Sequence, residues 1–368
     1  MRYSTFLEVN LGLLQDNLNK IKRLSKARIL PMVKADAYGN GLVPVAKFLV
    51  EDCEMKTLGC ATLGEALHLF NQCPDLNTEV LIFSDSEISN PKVNDAYFNF
   101  AITPVLHQAN DVETVLSNPS MAKLPVILKV NTGMNRLGLS LEEVAKFAPR
   151  LKSRGVKHLM THFARSSDVL KEGDKTHKQM EEFNKAKQIL KEAGVNVQET
   201  SVANSGAIEQ KFGSNETFIR PGLMLYGPYS VEPRIWDGHQ VSRLVSKILN
   251  TFMVKKGTPV GYGVNVAPED GLIVIIPVGY ADLSVTTASG AEITINGYKG
   301  KIFARVSMDM MFLLFDPSVN GKLKAGDAIE FWNNDNRVIG ELSTSMKTIP
   351  YHLMCGVTNR IPRIYKVK

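Results

Sequence analysis

Apolar positions along the first two thirds of the chain follow two alternating periods. Short apolar runs fall at Ile29–Val33, Leu58–Thr62, Val80–Phe83, Phe100–Thr103, Val126–Val130, His158–Thr161, Thr200–Ala203 and Thr217–Arg220. Between them, positions such as Leu14, Leu18, Ile21 and Val144, Phe147, Leu151 recur three or four apart. That spacing is the apolar stripe of an amphipathic helix. Strand-like runs interleaved with helices from about residue 11 to 236 predict an α/β fold, a (β/α)8 TIM-type barrel. A doubly wound open sheet has the same alternation, and strand counting leaves both open.

After residue 237 the helical period fades. The runs Leu272–Val278, Glu292–Ile295, Lys301–Val306, Met311–Phe315 and Ala328–Phe331 are short and separated by glycine or Asn/Asp turns. They predict a mostly β C-terminal domain, read as all-β. The division expected is a barrel over 1–236 and a β-rich domain over 237–368. The opening run Thr5–Val9 precedes the first helix, so residues 1–10 can pair with either half.

The length of 368 residues suits two domains. An apolar fraction of 44% and a charged fraction of 22% are those of a globular chain and exclude disorder as a global description. No run approaches the roughly 18 apolar residues of a membrane helix. Glu8 and Asp16 interrupt the first twenty residues, which argues against a signal peptide. The net charge of +6 comes without a long basic run, so neither nucleic acid nor a membrane surface is expected as a partner. Four cysteines (Cys53, Cys60, Cys73, Cys355) without CxxC spacing read as reduced thiols of a cytoplasmic protein.

In a barrel, catalytic groups gather at the C-terminal ends of the strands. Lys34 ends the first run, Lys129 sits near the end of the fifth, His162 follows the sixth, Asn204 and Ser205 the seventh, and Arg220-Pro221-Gly222 the eighth. A lysine ending an apolar strand either reaches its amine to water or uses it. The used alternative is a Schiff-base lysine attacking a carbonyl. Ser205 and Gly222 stand in the loops where barrels cradle phosphate with backbone N–H groups. A reactive lysine and a phosphate cradle on one rim suggest pyridoxal phosphate. His158 and His162 have H-x3-H spacing, but on a strand they lie roughly 13 Å apart, too far for one metal ion; no metal is expected. No GxGxxG, Walker or GxSxG motif occurs.

The segment VKADAYG (33–39) resembles the cofactor-lysine motif of the alanine racemases, the barrel-type pyridoxal-phosphate family. LKVNTGMNRLG (128–138), THF (161–163), ANS (203–205), RPGLMLYG (220–227), GYG (261–263), VGYAD (278–282), RVSMD (305–309) and RIPRIY (360–365) follow in family order. The resemblance implies that Lys34 carries pyridoxal 5′-phosphate and, with Tyr262, forms a two-base pair working on opposite faces of the substrate Cα. A free phenol titrates near 10, and the family's help comes through His162, which links the tyrosine to Arg220. Arg220 would keep the cofactor's ring nitrogen unprotonated. Tyr38, Asn204, Ser205, Gly222, Leu223 and Tyr351 would bind the cofactor. Arg136 would approach its phenolic oxygen, with Lys129 alongside as a lysine or a carbamate. Arg136, Met308, Asp309 and Tyr280 would face the substrate.

Because Tyr262, Tyr280, Met308 and Asp309 lie in the second half, the resemblance implies a homodimer with shared active sites. The expected activity is interconversion of L- and D-alanine, supplying D-alanine for peptidoglycan. The rivals are racemisation of another small amino acid such as serine, or a non-catalytic cofactor-carrying barrel. Two departures from the family pattern stand out: Asn40 where members commonly have His, and Val202 where they often have His, removing a hydrogen-bond partner near Arg220.

Overall fold

The computed structural model describes residues 3–286 and 288–367. A strand β1 (Phe6–Asn10) opens the chain. Eight parallel strands follow: β2 (Arg28–Ile29), β3 (Thr57–Thr62), β4 (Glu79–Asp85), β5 (Ile102–Leu106), β6 (Ile127–Lys129), β7 (Val156–Met160), β8 (Val197–Ser201) and β9 (Phe218–Ile219). β2 pairs with β9, and the neighbours then run in order down to β3. A bridge between Met32 and Gly59 closes the ring, with Val33 N–H donating to the Gly59 carbonyl at 2.8 Å. The sheet is therefore a barrel, not an open doubly wound sheet. Each expected run holds a strand, although β2 pairs over fewer residues than Ile29–Val33. The remainder of that run stays extended, bonding from Leu30 N to Ile219 O and from Met32 N to Pro221 O.

The helical stripes face inward as their period requires. Leu14, Leu18 and Ile21 of the helix Leu11–Leu24 are wholly buried, as are Val144 and Leu151 of Leu141–Leu151. Asn10 caps the first of these helices through Leu13 N, and Ser140 with Glu143 forms a capping box on the second. Long amphipathic faces against an apolar sheet give one contiguous core.

β1 belongs with the C-terminal strands. It lies between β10 (Ser242–Lys247), antiparallel, and β17 (Arg363–Lys366), parallel. β16 (Ala328–Trp332) extends that sheet beyond β10. A second sheet orders β11 (Asn250–Val254), β12 (Gly271–Ile276), β15 (Met311–Phe315), β14 (Tyr298–Phe303) and β13 (Glu292–Ile295). The all-β reading of this half is corrected by two helices, Asn336–Ser345 and Pro350–Cys355. Asp335 caps the first through Arg337 N, and Pro350 opens the second. Among the described residues no helix is long and apolar enough to cross a membrane.

One local feature places the site. Immediately after Lys34, residues Ala35, Asp36, Ala37 and Tyr38 all take left-handed angles, with φ between 52° and 56°. Such backbone costs roughly 1–2 kcal/mol per non-glycine residue and persists only when its surroundings hold it. Glu65 accepts from Ala35 N at 2.6 Å, and Asp36 accepts from Leu42 N at 2.7 Å. The C-terminal segment clamps the far end. Arg363 Nη2 donates to the Gly39 carbonyl at 3.1 Å and Tyr365 Oη to the Asn40 carbonyl at 3.1 Å. A Cβ on Gly39 would stand 2.0 Å from the Met354 carbonyl oxygen, so only glycine fits that contact.

Asn40, one of the departures, is wholly buried and donates its side-chain amide to Ala37 O at 2.9 Å and Tyr38 O at 3.1 Å. It ties off carbonyls of the left-handed turn. Asn40→Ala is expected to cost about 1–3 kcal/mol, read as a lower urea midpoint at unchanged slope; an unchanged midpoint would show that the turn needs no such tie.

Candidate active site

The C-terminal ends of the barrel strands open onto a cavity of about 550 Å³. Its lining carries four permanent or potential cations, Lys34, Lys129, Arg136 and Arg220, and no aspartate or glutamate. Concentrated uncompensated positive charge at a barrel mouth is a site for anions.

Lys34 follows the closing bridge of the barrel and is half-buried. Burial, and then the charge of Arg136, hold its amine below the ordinary lysine range. Lys129, ending β6, is buried and is pushed down to about 8 by burial and by Arg136, Arg220 and Lys34. Both amines are thus eased toward the neutral, nucleophilic form.

An anion cradle lines the same cavity. Ser205 Oγ accepts from Gly222 N at 3.1 Å and Met224 N at 3.3 Å, so these backbone donors converge on one point. A Cβ at Gly222 would stand 2.2 Å from Tyr38 Oη and would fill the cradle. Tyr38 stacks on Tyr226 at 4.9 Å and meets Tyr351 at 5.8 Å. Burial raises the Tyr38 phenol far above its ordinary value and Tyr351 to about 12, so both are neutral donors. Ser230 Oγ also lines the cavity and is buried without a hydrogen-bond partner. The donor set suits a phosphate with an aromatic aldehyde reaching Lys34.

His162 is held well below the ordinary imidazole range by burial and the Arg220 charge. Asn204 fixes its tautomer. Asn204 Oδ1 accepts from Ala207 N and from Ser166 Oγ, which turns its amide nitrogen toward His162 Nε2 at 3.4 Å. The imidazole proton then sits on Nδ1. Arg220 is buried and makes no hydrogen bond to His162 among the described residues. Its donors reach Ser201 Oγ, the Thr161 carbonyl at 2.5 Å and the Val202 carbonyl at 3.3 Å. Arg220 is thus anchored on Ser201 and on the backbone carbonyls of Thr161, the residue before His162, and Val202.

The Val202 reading also needs correction. Val202 offers Arg220 only its carbonyl, and its side chain packs where a Cβ on Gly213 would meet it at 2.4 Å. The side chain beside the guanidinium is that of Ser201. Alternation along a strand puts neighbouring side chains on opposite faces, and the departure was assigned to the outward position.

Lys34, Tyr38, Lys129, Arg136, His162, Asn204, Ser205, Arg220, Gly222, Leu223 and Tyr351 all line this one cavity. Tyr351 comes from the helix Pro350–Cys355, far from the barrel strands in sequence. Tyr262, Tyr280, Met308 and Asp309 do not line it. Tyr262 stands 67% exposed at the tip of the loop between β11 and β12, flanked by Gly261 and Gly263. Tyr280, Met308 and Asp309 form a second group, knit by Tyr280 N to Ser307 O and Ala281 N to Met308 O, with Asp309 paired to Arg360. Sequence reasoning missed Ser166, Ser201 and Ser230, since a lone serine carries no spacing signal. It missed His158 as a partner of Ser201 because a buried strand histidine reads as core.

The family descriptions "Alanine racemase, N-terminal domain" and "Alanine racemase, C-terminal domain" match residues 9–230 and 241–365. The alanine racemase of Aeromonas hydrophila is 32% identical over 96% of this chain and 97% of its own length. That of Carboxydothermus hydrogenoformans is 31% identical, over 97% and 98%. Among solved structures, the biosynthetic alanine racemase of Pseudomonas aeruginosa superposes with a TM-score of 0.86 at 27% identity, over 100% of both chains. With both halves matched in order and the cationic cavity at the rim between them, the chain belongs to the alanine racemase family.

Proposed function

We propose that this enzyme interconverts L- and D-alanine with pyridoxal 5′-phosphate held in the cationic cavity. The observation that carries the reading is the lining itself, a lowered lysine amine and a backbone-and-hydroxyl anion cradle with no carboxylate between them. Full-length relatives near 30% identity named alanine racemase favour alanine over other amino acids. The match over 241–365 sets aside a bare cofactor-carrying barrel.

Lys34 would hold the cofactor covalently, and Ser205, Gly222, Tyr38 and Tyr351 would hold its phosphate, with Leu223 packed beside them. Bound there, the cofactor's ring withdraws electrons and acidifies the substrate Cα–H. Arg136 would sit near the phenolic oxygen and the substrate carboxylate. His162, held neutral and with its tautomer fixed, adds no further charge to the cavity. Lys34 Nζ would take or return the Cα proton on one face, and Tyr262 Oη of a second copy on the other, since inversion requires removal and return on opposite faces. Tyr280, Met308 and Asp309 would complete the substrate side from that copy. Tyr262, Val264 and Met308, each more than half exposed, are second-half residues that such a copy would cover. The proposed division is a barrel over 1–236 and a partner-completing domain over 237–368.

Lys129 is proposed to be carbamylated. Its Nζ, having lost one proton, would attack CO₂, forming an N–C bond as one C=O π bond opens and releasing a second proton, so that a repelled cation becomes an anion facing Arg136. D-Alanine for peptidoglycan is the proposed use and the cytoplasm the proposed location, supported by four unpaired cysteines.

Lys34→Ala is expected to abolish the visible band of the bound cofactor and α-deuterium incorporation into alanine in D₂O; an unchanged spectrum would refute the lysine assignment. Mixing inactive Lys34→Ala with inactive Tyr262→Phe under subunit exchange should restore roughly a quarter of the activity, because only mixed dimers hold an intact site, one site of two; no recovery despite exchange would refute the shared site. In ¹³C-bicarbonate, NMR should show a carbamate resonance that Lys129→Ala removes, and its absence from the parent enzyme would leave Lys129 a plain lysine.

A further inference from the structure

From Arg220 at the cavity a chain of buried polar side chains continues through Ser201 and His158, which have no other role in the reaction. Arg220, Ser201 and His158 are each at most 4% exposed. Arg220 Nη1 donates to Ser201 Oγ, and Ser201 Oγ lies 2.7 Å from His158 Nε2. Guanidinium can only donate, so the serine oxygen accepts from above. Its own proton is then free to go down to the imidazole. Burial, and then the charge of Arg220, depress His158 to about 3, with Lys157 and Arg28 adding to the effect. The ring is therefore neutral and its Nε2 lone pair receives the serine proton. His158 stacks on Phe218 at 5.4 Å, which fixes the ring plane.

The remaining acceptors of Arg220 are backbone carbonyls of Thr161 and Val202. No carboxylate pairs with it among the described residues, and the charged groups around the cavity floor are the cations Lys34, Lys129 and Arg136. A buried guanidinium ordinarily takes a carboxylate partner, because desolvating a lone charge is costly. Here every bonded partner is uncharged, and the orientation is nevertheless fixed at three acceptors.

We propose that Ser201 and His158 are positioning residues of this racemase, holding the Arg220 guanidinium through uncharged acceptors so that its full charge is directed at the cofactor's ring nitrogen. The proposal rests on the reading of Arg220 given above. A carboxylate in their place would offset the guanidinium and let the ring nitrogen take a proton. The site would then leak into half-transamination, in which the amino group of alanine stays on the cofactor and pyruvate leaves with its carbonyl oxygen drawn from water.

The test uses holoenzyme of Ser201→Ala, Ser201→Asp, Ser201→Thr, His158→Gln and Arg220→Lys. Three readouts are followed: pyruvate formed per racemisation event with lactate dehydrogenase and NADH, the pH titration of the bound cofactor's absorption, and the melting temperature. Ser201→Ala should raise the pyruvate ratio roughly tenfold, the factor one charge-assisted hydrogen bond is worth, and shift the absorption titration to higher pH. Ser201→Asp should exceed it, and Ser201→Thr should restore both readouts. His158→Gln should shift both in the same direction and decides the question if Ser201 variants do not fold. A lower melting temperature with unchanged ratio and titration in the Ser201 and His158 variants would overturn the proposal and make the pair barrel packing. Arg220→Lys without change in either readout would instead refute the role of Arg220 itself.

Discussion

Positive charge without a counter-ion is the constraint around which this molecule is organised. Two lysines and two arginines face one cavity that, among the described residues, no carboxylate lines. Lys34, Lys129 and Arg220 are partly or wholly desolvated there, and the four cations repel one another, which works against folding. A ligand bringing a phosphate and a carboxylate would relieve that repulsion and stabilise the fold by mass action. The lowered amines of Lys34 and Lys129 follow from the same crowding. The pocket is thus both costly without an anion and selective for one.

Rigid surroundings keep these groups from escaping to water. The left-handed turn after Lys34 is bound on one side by Glu65 and on the other by Arg363 and Tyr365, so the last strand of the chain helps position the first barrel lysine. β1 has the same effect from the other terminus, lying between β10 and β17. Barrel and C-terminal sheets are consequently coupled at the site, and Tyr351 reaches the anion cradle by that route. Tyr262 is exposed and does not line its own chain's cavity, which is consistent with the proposed use of its phenol by a second copy.

The barrel was legible because its determinants are local: eight apolar runs and helix stripes such as Leu14, Leu18, Ile21 declare themselves at short range. The choice of barrel over open sheet came from the family resemblance and not from the strand count, since closure rests on one bridge between Met32 and Gly59. The helix Asn336–Ser345 escaped because its apolar stripe is thin, resting on Ile339 and Leu342. Cavity residues on strand ends were readable by position, whereas Tyr351 depended on the family pattern. The network under Arg220 was misread at Val202, because face assignment at the end of a strand turns on one residue of register. Asn40, a departure from the family pattern, is a tie on the left-handed turn.

The most direct test of the account is to reduce the purified enzyme with borohydride and map the resulting peptides by mass. The account predicts a single pyridoxyl-phosphate adduct, on the peptide carrying Lys34. An adduct on Lys129 or on a surface lysine, or none at all, would contradict it.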